Sequence, residues 1–121
     1  MTSATKEYDL EDRTFEFALS VRRMVKTLNR SITNLEDGKQ LIRSSGSVGA
    51  NYIEANEAIS KKDFKFRIKL CRKEAKESHY WLRLICDSNQ DKSEPIKLLT
   101  AEAEELTKIF GSIHRKTQTN D

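Results

Sequence analysis

The sequence predicts an all-α protein: a single domain over residues 1–121, folded as an antiparallel up-down-up-down four-helix bundle. Helix-forming residue types dominate the chain, which holds only four Gly and one Pro in 121 residues. Apolar residues recur at helical spacing in four segments. Short stretches of turn-forming residues separate those segments, as in an up-down bundle. The length is enough for one hydrophobic core and too short for two.

The four predicted helices span about residues 10–30, 37–58, 61–87 and 94–115. The apolar series of the first helix is Phe17, Val21, Met24, Leu28 and Ile32. The second helix has Leu41, Val48, Tyr52, Ala55 and Ile59. Ser60 and Ser93 are suitable N-caps for the third and fourth helices. We expect the tails, residues 1–8 and 116–121, to be flexible.

A run of small residues interrupts the second helix, with Gly46 and Gly49 at its centre. Glycine inside a helix costs about 1 kcal/mol relative to alanine, so two glycines here indicate a close helix contact or a local break. A phosphate-binding loop is the alternative, but the run lacks the Gly-Lys-Ser or Gly-Lys-Thr ending and a preceding strand. The Gly46 to Gly49 spacing also matches a KH-type clamp, without the strands that a KH domain needs. We therefore predict a tight helix contact.

Basic side chains cluster on two of the predicted helices, although the formal net charge is only +3. The third helix carries a stripe of Lys62, Lys65, Lys69, Arg72 and Lys76. The first helix carries Arg22, Lys26 and Arg30 at every fourth position. A charged stripe is often only a solvated face. Together, however, the two stripes form a candidate footprint for the phosphate backbone of RNA or DNA, with weak sequence specificity.

No constellation of catalytic or metal-binding residues stands out. The two histidines, His79 and His114, are far apart and neither lies in a Glu-x-x-His pair of the kind that di-metal bundles use. Cys71 falls on the buried stripe of the third helix and has no candidate catalytic base. We therefore expect no enzymatic activity, no metal and no cofactor. The absence of a signal peptide or membrane span favours a cytoplasmic protein.

The apolar arc of the third helix is wider than one neighbouring helix requires. Leu70, Trp81 and Leu84 extend it on one side, while Arg67 and Glu74 project into it. Charges at such positions are usually paired at an interface. This pattern predicts a homo-oligomer, and the sequence alone leaves its stoichiometry open.

The motifs RSSGSVGANYIEA (43–55), SKKDFKFRI (60–68) and KEAKESHYWLRLI (73–85) resemble the 23S rRNA intervening-sequence, or S23, family of small four-helix bundles. The resemblance spans roughly residues 15–112, and Asn56 departs from the family pattern. It implies a barrel-like homopentamer with no established enzymatic activity. A similar protein, the accessory variability protein of diversity-generating retroelements, binds nucleic acid and a reverse transcriptase. The resemblance also implies packing or assembly roles for six residues: Asn51, Tyr52, Glu54, Glu74, Tyr80 and Trp81. We expect the same role for Arg67.

Three hypotheses for function follow. The first is a non-enzymatic oligomeric bundle that binds the backbone of RNA or DNA through its clustered Lys and Arg side chains. The second is a protein-binding scaffold or accessory protein, with a reverse transcriptase as an example of its partner and a basic face that is merely solvated. The third, a metal-dependent enzyme, requires a bound metal for which the sequence offers no ligand pattern.

Overall fold

Four α-helices form the structure, a computed structural model that describes residues 9–119. They are α1 (Leu10–Val25), α2 (Ile32–Asn56), α3 (Lys61–Ser88) and α4 (Ser93–Thr119), and one turn of 3-10 helix, Gln90–Lys92, joins α3 to α4. The described residues contain no β-strand. The prediction of an all-α four-helix fold is therefore confirmed.

Side-chain caps determine where the first three helices begin. The Asp9 carboxylate accepts a hydrogen bond from the backbone N–H of Asp12 at 3.2 Å. The hydroxyls of Ser31 and Ser60 accept from the N–H groups three residues further on, at 3.1 and 3.0 Å. Each cap satisfies a backbone donor that has no partner within its own helix. The predicted cap of α3 at Ser60 is thus confirmed.

The connection between α1 and α2 differs from the prediction. α1 ends at Val25 and not near residue 30, and α2 begins at Ile32 and not near residue 37. Thr27 ends α1, because its N–H and its hydroxyl both donate to the Met24 carbonyl, at 2.9 and 2.7 Å. Ser31 is the N-cap of α2. The prediction missed this cap because Ile32 continues the apolar spacing of the first helix past Ser31. Ile32 is consequently not on the apolar stripe of the first helix: it opens α2 and is 81% exposed.

The structure also differs from the predicted bounds at the α2–α3 turn and at the end of α4. Ile59 belongs to the α2–α3 turn and is 94% exposed, so it does not continue the apolar series of α2. Residues 116–119, predicted to be a flexible tail, are the last turn of α4. The Thr117 hydroxyl donates to the His114 carbonyl at 2.6 Å, which lets a polar residue continue the helix. The other predicted flexible residues, 1–8 and 120–121, lie outside the described residues.

All four helices contribute to one hydrophobic core. Its fully buried members include Val21 from α1, Leu41 from α2, Ile68 from α3 and Phe110 from α4. Consecutive helices are neighbours, and α1 also packs against α4. An ion pair fastens this last contact: the Arg13 guanidinium donates two hydrogen bonds to the Glu102 carboxylate, at 2.8 and 2.9 Å. α1 and α3 therefore lie on opposite corners of the bundle.

The glycines of α2 permit a close approach of α1. A methyl group placed on Gly49 would lie 2.9 Å from the Thr14 hydroxyl oxygen, closer than real contacts allow. Thr14 is fixed in turn by its hydrogen bond to the Leu10 carbonyl at 2.7 Å. The predicted tight helix contact is confirmed. Since Gly46 and Gly49 lie inside a continuous helix, they do not form a phosphate-binding loop.

This contact predicts that Gly49→Ala destabilises the fold, although alanine is the better helix former. The clash with Thr14 should lower the free energy of unfolding by about 1–3 kcal/mol, as in other overpacked helix contacts. Gly38→Ala in the same helix is the matched control. Its methyl would meet Val25 at an ordinary 3.4 Å, so we expect a gain of about 0.5–1 kcal/mol. Urea denaturation measures both, and equal stability of the two variants would contradict the account.

Candidate nucleic-acid interface

The predicted basic stripe of α3 lies along its N-terminal half. Lys62, Lys69, Arg72 and Lys76 are exposed, and Lys65 is half-buried. From Lys62 to Lys76 the stripe covers fifteen helical positions, which correspond to about 21 Å along the helix axis. The faces of α3 on either side of it are occupied, because α3 packs against both α2 and α4.

Arg72 lies across the seam between α3 and α4, over the backbone of Gly111. A methyl group on Gly111 would lie 3.1 Å from Arg72 Nε and 3.5 Å from Arg115 Nη1. Two guanidinium groups from different helices therefore occupy the space above one α-carbon. Gly111 leaves this space open, since a β-carbon at this position would require the Arg72 guanidinium to shift by a few tenths of an ångström.

His114 is surrounded by the same group of cations. Partial burial lowers its pKa, and the positive charges of Lys69, Lys65 and Arg72 lower it further. Both causes disfavour the imidazolium, so the ring is predominantly neutral at pH 7. We call the five residues of this cluster the α3–α4 basic patch: Lys65, Lys69, Arg72, His114 and Arg115.

Acidic side chains do not neutralise most of this patch. Within residues 9–119, Lys69, Arg72 and Arg115 form no ion pair with a carboxylate. The acidic residues of α4 lie nearer its N-terminus, where Glu104 and Glu105 each approach Lys108 at 4.0 Å. In the patch, three positive charges thus lie close together without a carboxylate partner among residues 9–119.

The structure separates the first basic set from the second. Arg22 donates to the carbonyls of Ala18 and Ile42, at 3.0 and 3.4 Å, and so holds its charge at the seam between α1 and α2. Lys26 is the C-cap residue of α1 and Arg30 lies in the connection that follows, and both are exposed. Because α1 and α3 occupy opposite corners of the bundle, one protomer does not present all eight residues on a single face.

A ladder of polar contacts joins α2 to α3. Arg43 binds the carboxylates of both Glu74, at 3.4 Å, and Glu77. Trp81 Nε1 also donates to Glu77, at 3.0 Å. Burial would raise the pKa of Glu77, but the hydrogen bonds from Trp81 and Arg43 outweigh burial and lower it. Further along, Arg67 donates to the Asn51 side-chain oxygen at 3.3 Å.

These contacts locate most of the residues predicted to serve packing or assembly. Asn51, Arg67, Glu74 and Trp81 belong to the α2–α3 ladder, so Arg67 and Glu74 find their partners within their own chain. Tyr52 packs its ring against Phe110, with ring centroids 5.7 Å apart. Tyr80 is largely exposed and meets Trp81 edge-on, at 5.0 Å between centroids. Glu54 is exposed, and its side chain forms no hydrogen bond or ion pair in the described part of the chain.

Sequence reasoning missed His114, Arg115 and Arg43. The predicted basic stripes lay on the first and third helices, so the basic residues near the end of α4 were not matched with another helix. The signal was present, because in an antiparallel bundle the end of α4 must lie beside the start of α3. Arg43 had been noted only as the first letter of the RSSGSVGANYIEA motif.

The arrangement can bind an anion, but nothing in it activates a nucleophile. Burial raises the pKa of the Cys71 thiol to about 12, which keeps it protonated at neutral pH. Among residues 9–119, no three His, Cys, Asp or Glu side chains are grouped so as to hold a metal ion. None of the helices described is both long and apolar enough to span a bilayer.

Comparison with known proteins gives a family and a similar solved structure. The sequence profile of the 23S rRNA-intervening sequence protein family matches residues 6–112. A crystal structure of a protein of unknown function from the S23 ribosomal protein family of Bacteroides thetaiotaomicron is 30% identical, with a TM-score of 0.75. The match covers 86% of this chain and 96% of that one. No curated protein shows significant similarity. The chain belongs to the 23S rRNA-intervening sequence, or S23, protein family.

Proposed function

We propose that this protein is a non-enzymatic, homo-oligomeric helical bundle that binds the phosphate backbone of RNA or DNA. The observation that carries the proposal is the α3–α4 basic patch, where two helices bring cations together with little acidic compensation. Uncompensated Lys and Arg side chains near one another favour a polyanion, because binding releases the counterions condensed on its phosphates. The lysines that extend the stripe along α3, Lys62 and Lys76, lengthen this surface.

Contact with the backbone rather than with bases fits the residue types in the patch. Arginine presents a planar fork of donors that matches a phosphate, and lysine acts as a point charge. Two aromatic rings on α3 are exposed: Tyr80 lies beyond the end of the stripe, and Phe66 lies within its length, with the Arg67 guanidinium 5.8 Å from its ring centroid. The patch itself consists of basic side chains suited to phosphate. We therefore expect weak sequence specificity. The family description refers to insertions in 23S rRNA and not to a binding activity, so the proposal rests on the charge distribution.

We also propose that the helices alternate in direction and that the bundles assemble into a ring. The α2–α3 contacts Asn34–Asn89, Ser44–Ser78 and Asn51–Arg67 occur in opposite order along the two helices, which supports an antiparallel pair. Self-association is supported by exposed apolar side chains such as Phe15 and Ile53. Five subunits is the number that the family resemblance suggests.

A protein-binding scaffold is the second candidate. A groove of about 240 Å³ between α1 and α2 is lined by Gly46, Gly49 and Ala50 and flanked by Phe15 and Ile53. Such an apolar surface fits a protein partner, for example a reverse transcriptase, as well as another subunit. A pull-down that recovers the same protein partner before and after nuclease treatment would favour this candidate.

A cytoplasmic location fits both the nucleic-acid-binding and the scaffold function, since Cys71 and Cys86 are free thiols.

The first prediction from the proposed function concerns nucleic-acid binding. A fluorescein-labelled 20-nucleotide oligouridylate should bind in 50 mM salt, with an affinity that falls steeply by 200 mM, because phosphate contacts displace counterions. The triple variant Lys65→Glu, Lys69→Glu, Arg72→Glu should stay helical by circular dichroism and lose binding by at least about tenfold. Fluorescence anisotropy measures both effects.

The matched control is Lys26→Glu, Arg30→Glu, Lys39→Glu, which changes the net charge by the same amount away from the patch. We expect its binding to fall much less than that of the patch variant. An equal loss in both variants would mean that overall charge and not the patch governs binding. No binding at 50 mM salt, or a flat salt dependence, would contradict the proposal itself.

The second prediction concerns assembly. Light scattering at micromolar concentration should give a mass several times the 14.0 kDa of one chain. Ile53→Glu should reduce that mass, because it places a charge in the apolar α1–α2 surface that we assign to subunit contact. The control Ile32→Glu changes another exposed isoleucine, at the start of α2, and should leave the mass unchanged. A wild-type monomer would refute the assembly.

A further inference from the structure

The centre of the α3–α4 basic patch combines two arginines with a histidine above Gly111. Resting on the proposed function, we propose that Arg72, Arg115 and His114 form a phosphate clamp above Gly111, and that His114 takes up a proton when the phosphate binds. The ligand class is a phosphate group with charged oxygens, carried by a nucleic-acid backbone or by a free polyphosphate. The clamp thereby makes the affinity for phosphate depend on pH.

The geometry of the clamp follows from Gly111. Arg72 reaches it from α3 and Arg115 from α4, with Arg72 Nε and Arg115 Nη1 at 3.1 and 3.5 Å from the point where a β-carbon would stand. Neither guanidinium is neutralised by a carboxylate in the described residues. Two like charges held this close repel each other, and a phosphate between them would remove the repulsion while accepting hydrogen bonds from both.

His114 responds to the same charges. It is faced by Lys65, Lys69 and Arg72 from α3, and Arg115 is its neighbour on α4. These cations and partial burial keep the free imidazole neutral near pH 7. A bound phosphate brings negative charge into the cluster, which favours the imidazolium and raises the pKa of His114. A group that gains a proton on binding strengthens binding as the pH falls, so the affinity should be higher at pH 6.0 than at pH 7.5.

The decisive experiment follows the two histidines of the chain by NMR after labelling their Cε1 atoms with ¹³C, with His79→Gln used to assign the signals. Adding sodium tripolyphosphate should raise the pKa of His114 by about half a unit or more, while the His79 signal serves as an internal reference away from the clamp. Arg72→Gln or Arg115→Gln should abolish most of the rise, because each removes one arm of the clamp.

The same titration with the 20-nucleotide oligouridylate separates this inference from the proposed function. In wild type we expect binding at pH 6.0 to be about 1.5- to 2-fold tighter than at pH 7.5, or more if the pKa of His114 rises further, at constant ionic strength. His114→Gln should bind with little pH dependence, while His79→Gln should retain it. If tripolyphosphate raises the pKa of His114 but the oligouridylate does not bind, the clamp stands and the nucleic-acid proposal fails. If the oligouridylate binds and neither it nor tripolyphosphate raises the pKa of His114, the clamp is overturned.

Discussion

The packing of α3 against two neighbours at once is the constraint on which the rest of the structure depends. One face of α3 is buried against α2 through Ser78 and the ladder from Arg67 to Trp81, and another is buried against α4. Only a narrow strip of α3 is left for solvated charge, and the sequence fills the first half of that strip with lysine and arginine. Because α4 packs beside this strip, the basic residues of α3 lie next to the basic residues near the end of α4. The basic patch is therefore a consequence of how the core is built.

Buried polar contacts fix how α3 lies along its neighbours. The side chains of Asn34 and Asn89 exchange two hydrogen bonds, at 3.0 and 2.8 Å, where α2 begins and α3 ends. In the middle of the same seam the Ser44 and Ser78 hydroxyls are 2.8 Å apart. A shift of either helix would leave these buried groups without partners, which costs about 1–3 kcal/mol each.

The all-α class, most of the apolar series of the first two helices and the close α1–α2 contact could be predicted because each rests on local spacing or on glycine chemistry. The turn after α1 could not, because Ile32 continues the apolar spacing while the cap at Ser31 breaks the helix. The basic patch could be predicted only in part. Lys65, Lys69 and Arg72 share one helix face and are visible in the sequence, whereas His114 and Arg115 join them only through tertiary packing. Arg22 does not join the patch, because its guanidinium donates to the Ile42 carbonyl of α2 and so lies on another side of the bundle.

The central claim is that phosphate binds where α3 and α4 meet. Photo-crosslinking with an oligonucleotide that contains 4-thiouridine, followed by mass spectrometry of the crosslinked peptides, tests it most directly. The account predicts crosslinks in peptides that cover residues 61–76 of α3 and 108–116 of α4. Crosslinks concentrated in residues 22–39, around the end of α1 and the start of α2, would contradict it.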